Sequence, residues 1–416
     1  MSATRFSTWD VARLHGCVGV VVLEVSRLSS REAVEKIREE WTELQDRSES
    51  VNPFVGPEWT IHWMRSLMPR TDEAWILTVR DAGRLVGVAP MHLRTYRLGI
   101  RRLQMIGTGS PWVGPFEAPA VLAAQPQGRQ VARALIEYLA TQQRAWHLVT
   151  VALGESGDWL EPGWLTAPDF TVVAYKATPF VVLPLPLAPR GPSEGRRNLK
   201  EAVRRARNRL TKRFGADGWQ VEGITEPDAI RSAAEELFAL HRARSEFRAR
   251  GDEHADVLAD PRVRAYVLDV IADLAQRRRV TVYRLVAEGQ TLAAQLVLNT
   301  GTAAFISLSG FRSDAWDYSP TNYLQWIAVT EAGERGIAEV NFSSWPTQAK
   351  LRWSRLVRST PEFVVIGPSR FAKLVAAPAF LTASAMTGYR RELGVATVGQ
   401  LFKRVERNRS ADRPAS

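Results

Sequence analysis

Between Leu183 and Pro192 the chain reads Leu-Pro-Leu-Pro-Leu-Ala-Pro-Arg-Gly-Pro. Each proline removes a backbone donor and fixes φ, so no helix forms across such a run and it reads as a connection between two folded units. Two units also suit 416 residues with 45% apolar content, because one core rarely extends past about 250–300 residues. The expected partition is 1–182, a linker at 183–192, 193–368, and a helical, basic tail over 369–416.

Hydrophobic spacing fills in both units. In the first, Val18 to Val25 predicts a strand, and Ser29-Ser30 caps a helix to about Gln45 with Val34, Ile37, Trp41 and Leu44 on one face. A helix over Glu58–Met68, a hairpin of Ala74–Arg80 and Leu85–Leu93, a strand near Leu103, a helix over about 128–143 and a strand over His147–Leu153 follow. In the second, the pattern predicts helices at Glu194–Phe214, Pro227–Arg248, Pro261–Arg277 and Pro320–Arg335. It predicts strands at Trp219–Ile224, Val280–Ala287, Leu292–Asn299, Ala303–Phe311, Ala338–Phe342 and Glu362–Ile366. Both units thus follow one coarse α/β plan.

Several function classes are disfavoured. No apolar run approaches the roughly 20 residues a membrane span needs, and polar Met1–Asp10 does not suit a secretory leader, so a cytoplasmic protein is expected. Cys17 is the one cysteine, and the six histidines (His15, His62, His92, His147, His241, His254) lack zinc-ligand spacing; no metal is expected. Gly107-Thr108-Gly109 lacks the third glycine of a dinucleotide fingerprint. A net charge of +11 favours a polyanionic partner, be it RNA, an anionic membrane surface or a phosphate-rich cofactor.

Five features of the second unit occur in a telling order. They are a basic helix (Arg196, Arg197, Lys200, Arg204, Arg205, Arg207, Arg209, Lys212, Arg213) ending Phe214-Gly215; Leu240-His241-Arg242-Ala243-Arg244; a hairpin turning at Gly289 into Leu292-Ala293-Ala294-Gln295-Leu296; Gly310-Phe311-Arg312-Ser313-Asp314 with Tyr318-Ser319-Pro320 opening a helix; and Val340-Asn341-Phe342 followed by Ala349-Lys350-Leu351-Arg352-Trp353. This series resembles the CelD/BioF-like branch of the GNAT superfamily acyltransferases, which is related to the Fem-type aminoacyl-tRNA-dependent transferases. The first unit resembles a degenerate copy. The resemblance implies two tandem GNAT-like α/β domains, each a mixed, mostly antiparallel sheet flanked by helices. It further implies an acyl-CoA donor such as acetyl-CoA, or aminoacyl-tRNA in the Fem-type alternative, and a small-molecule or sugar acceptor; a catalytically idle scaffold is the third reading.

Three departures from the branch matter. Pro111-Trp112-Val113-Gly114 stands where many members carry an aspartate, Thr321 stands at a usual glycine, and Asn341 stands at a usual aspartate and cannot take a proton. Candidate catalytic residues are Lys350, Asn341 and His241. Ser319, Pro320, Thr321 and Asn322 form a helix opening suited to phosphate, though Ser-Pro also begins ordinary helices. Lys350 supplies positive charge to a phosphate, a carboxylate or an oxyanion, or is a solvated lysine. Arg244, Tyr323, Trp316, Trp345 and Trp353 are candidate substrate contacts, and Arg204, Arg205 and Arg209 candidate polyanion contacts, such as tRNA phosphate. Most of the fourteen tryptophans, Trp59, Trp63, Trp159, Trp164 and Trp326 among them, read more simply as core.

Overall fold

A computed structural model describes residues 23–48, 50–108, 116–153, 169–186, 194–247 and 255–382. His15, Cys17, Gly109, Pro111–Gly114, Trp159, Trp164, Arg248, His254, residues 187–192 of the proline-rich run and residues 383–416 of the basic tail lie outside them, as do the side chains of Arg196 and Arg197.

The first half runs β1 (Leu23–Leu28), α1 (Arg31–Lys36), α2 (Arg38–Arg47), α3 (Pro57–Ser66), β2 (Glu73–Asp81), β3 (Arg84–Thr95), β4 (Arg101–Met105), β5 (Leu122–Ala123), α4 (Gly128–Thr141), β6 (Leu148–Ala152) and β7 (Thr171–Pro184). The second runs α5 (Glu194–Phe214), β8 (Trp219–Ile224), α6 (Pro227–Glu246), α7 (Pro261–Gln276), β9 (Val280–Ala287), β10 (Gln290–Asn299), β11 (Ala303–Phe311), α8 (Pro320–Glu334), β12 (Glu339–Ser344), α9 (Gln348–Leu351), β13 (Val357–Ile366) and a helix over 370–382, α10. The helix expected after Ser30 does start there, with the serine side chain accepting from Ala33 N, but it breaks at Ile37 into α1 and α2.

The described strands join one mixed sheet in the order β1-β2-β3-β4-β6-β13-β7-β12-β11-β10-β9-β8, with β5 paired to β3. The order repeats from its two ends inward. In each half a meander leads to a parallel pair, β4 with β6 and β11 with β12, joined through a helix. The last strands are exchanged: β7 of the first half pairs with β12, and β13 of the second pairs with β6. The proline-rich run therefore begins inside the sheet, where Leu183 faces Val340 and Pro184 faces Glu339, so the expected linker start at 183 falls within a strand. Pro184 is tolerated because it ends the strand, where its missing donor breaks no further rung.

The two halves share core as well as sheet. Phe54 meets Phe305 edge-on at 5.0 Å, and Trp59 lies 6.2 Å from Tyr266, whose hydroxyl donates to Trp59 O at 3.2 Å. Around this core runs a charged latch between α3 and α7. His62 Nε2 lies 2.7 Å from Asp273, which also takes Arg38 at 2.9 Å, and Arg277 donates to buried Glu58 at 2.5 Å. Burial alone raises the pKa of Asp273, but His62 and Arg38 overcome it and hold the carboxyl at about 2. The relative placement of the halves is thus fixed by packing, which allows one site to draw on both. Among the described residues no helix is long and apolar enough to cross a membrane.

Candidate functional site

The site begins where β12 leaves β11. The parallel pair is in register only from Ala303 with Glu339 to Phe305 with Asn341, after which β11 continues to Phe311 and β12 to Ser344. Divergence of the parallel strands opens a wedge between them. The Asn341 side chain drives the turn away: its Oδ1 accepts from Ser343 N at 2.9 Å, and Ser343 takes a left-handed conformation at φ 69°. Trp345 is left-handed too (φ 63°), as is Ser319 (φ 51°) across the wedge. Left-handed φ at residues with a Cβ costs on the order of 1–3 kcal/mol each, and such strain collects at functional sites.

Into this turn reaches Glu117, from the segment between β4 and β5 of the first half. Its Oε2 accepts from Ser343 Oγ at 2.5 Å and from Ser344 N at 2.7 Å. Two neighbours place it: Asn52 Nδ2 donates to Ala118 O at 2.7 Å, and the Phe116 ring stacks on Trp59 and lies over Gly107. Gly107 has φ +85°, and a Cβ there would stand 2.4 Å from the Phe116 ring, so both the turn and the close approach require glycine.

Lys350 completes the group. Thr347 caps α9 by accepting from Lys350 N, and the lysine turns inward so that Nζ donates to Ser344 O at 2.6 Å. Burial pulls its ammonium down to about 8; the Glu117 carboxylate works against that shift and the Arg244 guanidinium adds to it. One lysine and one carboxylate from opposite halves are therefore gathered around a single strained turn.

The facing wall is the end of α6 against β11. Gly310 permits the approach, since a Cβ there would lie 2.3 Å from His241 N and 2.4 Å from Leu240 C. His241 is 1% exposed, and its Nδ1 lies 3.0 Å from Ser309 O, which only accepts, so the proton is on Nδ1. Burial lowers its pKa, against the Ser309 bond and Asp256. His241 accordingly fastens α6 to β11 rather than facing the wedge. One turn on, Arg244 donates to Ser309 Oγ at 2.6 Å with its guanidinium 5.6 Å over Phe311. Phe311, Phe247 and Trp316 form an aromatic group with centroids 5.5–5.9 Å apart, of which Trp316 is 45% exposed.

The structure thus brings together Lys350, Arg244, Asn341 and, at the rims, Trp316 and Trp345. It places two others elsewhere. Trp353 is buried, stacked on Phe342 at 5.1 Å, and Tyr323 packs edge-on to Trp219 at 5.4 Å beside β8, so both are packing residues rather than wedge contacts. Glu117 is the residue that sequence reading missed: it lies beyond the Pro111–Gly114 segment where an acidic group was sought, and only the packing of the halves brings it to Ser343.

α8 opens at the same end of β11. Pro320 is buried at the first helical position, Ser319 makes no side-chain cap, and Thr321 and Asn322 present first-turn N–H groups with no intrahelical acceptor. The basic helix α5 packs against this opening through a stripe of Leu199, Val203, Ala206 and Leu210. Arg209 donates to Asp317 O at 2.5 Å, just before the opening. Arg204 is paired with Glu201 of its own helix, while Arg205, Arg207, Lys212 and Arg213 are exposed. Among the described residues no group of three or more His, Cys, Asp or Glu could hold a metal ion.

Residues 197–349, from α5 into α9, match the family model described as an acetyltransferase (GNAT) domain. No curated protein matches the sequence. Among solved structures, the chain is similar to FemX (TM-score 0.54, 11% identity, covering 85% of this chain and 99% of that one). It is also similar to the C-terminal domain of a putative lysylphosphatidylglycerol synthetase from Agrobacterium fabrum (0.49, 12%, 85% and 96%) and to a tandem GNAT protein from the clavulanic acid biosynthesis pathway (0.39, 13%, 84% and 99%). At such identities the likeness to FemX is one of fold. The wedge and the helix opening fall within the matched segment, so residues 197–349 form a domain of the acetyltransferase (GNAT) kind.

Proposed function

We propose that the wedge between β11 and β12 moves an acyl group, acetyl or another, from acyl-CoA to an amine or hydroxyl of a small molecule or sugar. The observation that carries this is the partly buried Lys350 ammonium beside Glu117 at the mouth of the wedge. Acyl transfer needs a donor aimed at the oxygen on which negative charge develops, and a charged lysine in a site screened from water serves that purpose. Glu117 keeps Lys350 charged, and its carboxylate is the base that takes the acceptor's departing proton as the C–S bond breaks and CoA leaves as its thiol. Asn341 shapes the Ser343 turn rather than taking a proton. The first-turn N–H groups of Thr321 and Asn322 suit the donor's diphosphate, and the rim rings of Trp316 and Trp345 suit the acceptor.

A second donor, aminoacyl-tRNA, is favoured by one observation: α5 exposes Arg205, Arg207, Lys212 and Arg213 beside the same opening. A transfer assay separates the two. Supplied with a panel of amines and amino sugars, the protein is expected to release free thiol from acetyl-CoA in step with acceptor acylation. Transfer only from charged tRNA would move the assignment to the second donor, and transfer from neither would remove the proposal.

A further inference from the structure

Away from the wedge, one end of the sheet carries a surface that acyl transfer does not explain. The turn between β3 and β4, the start of β6 and α10 meet there. Arg101 N donates to His147 Nδ1 at 3.0 Å, the His147 ring lies 4.8 Å from that of Phe371, and Gly367 N donates to His147 O at 2.9 Å. From this end project the most exposed large apolar side chains among the described residues, Leu98 at 74% and Leu374 at 73%, with Phe371 at 36%. Leu98 stands at the turn's tip in a left-handed conformation (φ 62°), a place that glycine or asparagine takes more readily than leucine. In α10, Ala372 and Ala376 face inward onto Leu148, Val364 and Ile366, which directs Phe371 and Leu374 outward.

The charge around this apolar tip has one sign. Residues 94–104, 142–148 and 367–382 contain seven Arg or Lys and no Asp or Glu. Arg94 is drawn to buried Asp72, and Arg102 bonds to Tyr96 and Gln104. Arg97, Arg101, Arg144, Arg370 and Lys373 therefore rim the projecting leucines. A cationic rim alone would fit any polyanion. Large apolar side chains held out in water within that rim fit a surface that is anionic at its headgroups and apolar just beneath.

We infer that this end of the molecule docks on anionic phospholipid bilayers, with Leu98, Phe371 and Leu374 entering the interface and the surrounding arginines and lysine meeting the headgroups. None of the described helices crosses the membrane in this arrangement, and the contact is independent of the wedge chemistry.

Flotation of the full chain with vesicles tests it. Binding is expected to vesicles of phosphatidylcholine mixed with phosphatidylglycerol and not to phosphatidylcholine alone, and to weaken with salt. The double variant Leu98→Ser, Leu374→Ser is expected to bind at least about tenfold more weakly, given that each leucine buries several methylenes. The charge variant Arg97→Glu, Lys373→Glu is expected not to bind. A control on α5, Arg205→Glu, Arg213→Glu, should bind like the parent, and circular dichroism and transfer in solution should be unchanged in the Leu98 and Lys373 variants. Three results would overturn the inference: no binding to the anionic vesicles at low salt, undiminished binding by the leucine variant, or loss of binding in the α5 variant. Displacement from vesicles by an RNA pool that binds the leucine variant equally well would assign the surface to nucleic acid instead.

Discussion

Replacement of Lys350 by methionine is expected to lower kcat for acyl transfer by about 10²–10³-fold, the usual cost of removing one donor to a developing oxyanion. Methionine keeps the length and packing of the side chain, so the fold and the donor's KM should change little. The pH dependence carries the sign of the role. If the ammonium form acts, activity is full below the lysine's pKa of about 8 and falls as pH rises through it. That alkaline limb should be absent in the residual activity of Lys350→Met. Lys350→Arg, charged at all accessible pH, should recover part of the rate and also lack the limb. Activity that instead rises through about 8 would make Lys350 a base, and unchanged kcat in the methionine variant would remove it from the chemistry.

The second large effect is expected at Glu117. Glu117→Gln retains an oxygen to accept from Ser343 and Ser344 but loses the charge, so geometry is kept while electrostatics change. The rate should fall by about 10²-fold, at the low end of what a positioned acid or base contributes. Because Glu117 opposes the depression of the Lys350 pKa, its loss should move the alkaline limb to lower pH. A limb that stays in place, with the rate lowered, would show that Glu117 holds the Ser343 turn and no more.

Much of this architecture is legible in the sequence, and the exceptions have physical causes. Helix periodicity locates α5, α6, α7 and α8 almost to the residue, because each buries one regular stripe, as Leu199, Val203, Ala206 and Leu210 do in α5, and the β9–β11 meander is as legible because its strands are near-continuous apolar runs bounded by turns. The end of β7 is lost to its prolines: the run from Leu183 to Pro192 suggests a connection, yet the strand lies between β12 and β13 with Pro184 at its end. The strand exchange is illegible because it depends on how two similar units meet rather than on either alone. At the site, Lys350, Arg244 and the Ser319–Asn322 opening are singled out by the resemblance to the CelD/BioF-like branch, which spacing alone would not supply. Trp353 and Tyr323 show the limit of that method, since a ring near a motif in sequence is as readily packed under the motif as beside it. Glu117 needs contact across 226 residues and a left-handed Ser343, neither of which a local pattern encodes.

Donor capture in the wedge and the α8 opening precedes every other step proposed for this protein. It is tested most directly by calorimetric titration of acetyl-CoA into the protein and into Thr321→Trp, whose indole would fill the helix opening. Saturable binding at one site per chain is expected, lost in the tryptophan variant with its fold retained. Absence of heat up to millimolar acetyl-CoA in the parent protein, or equal binding by both proteins, would contradict it.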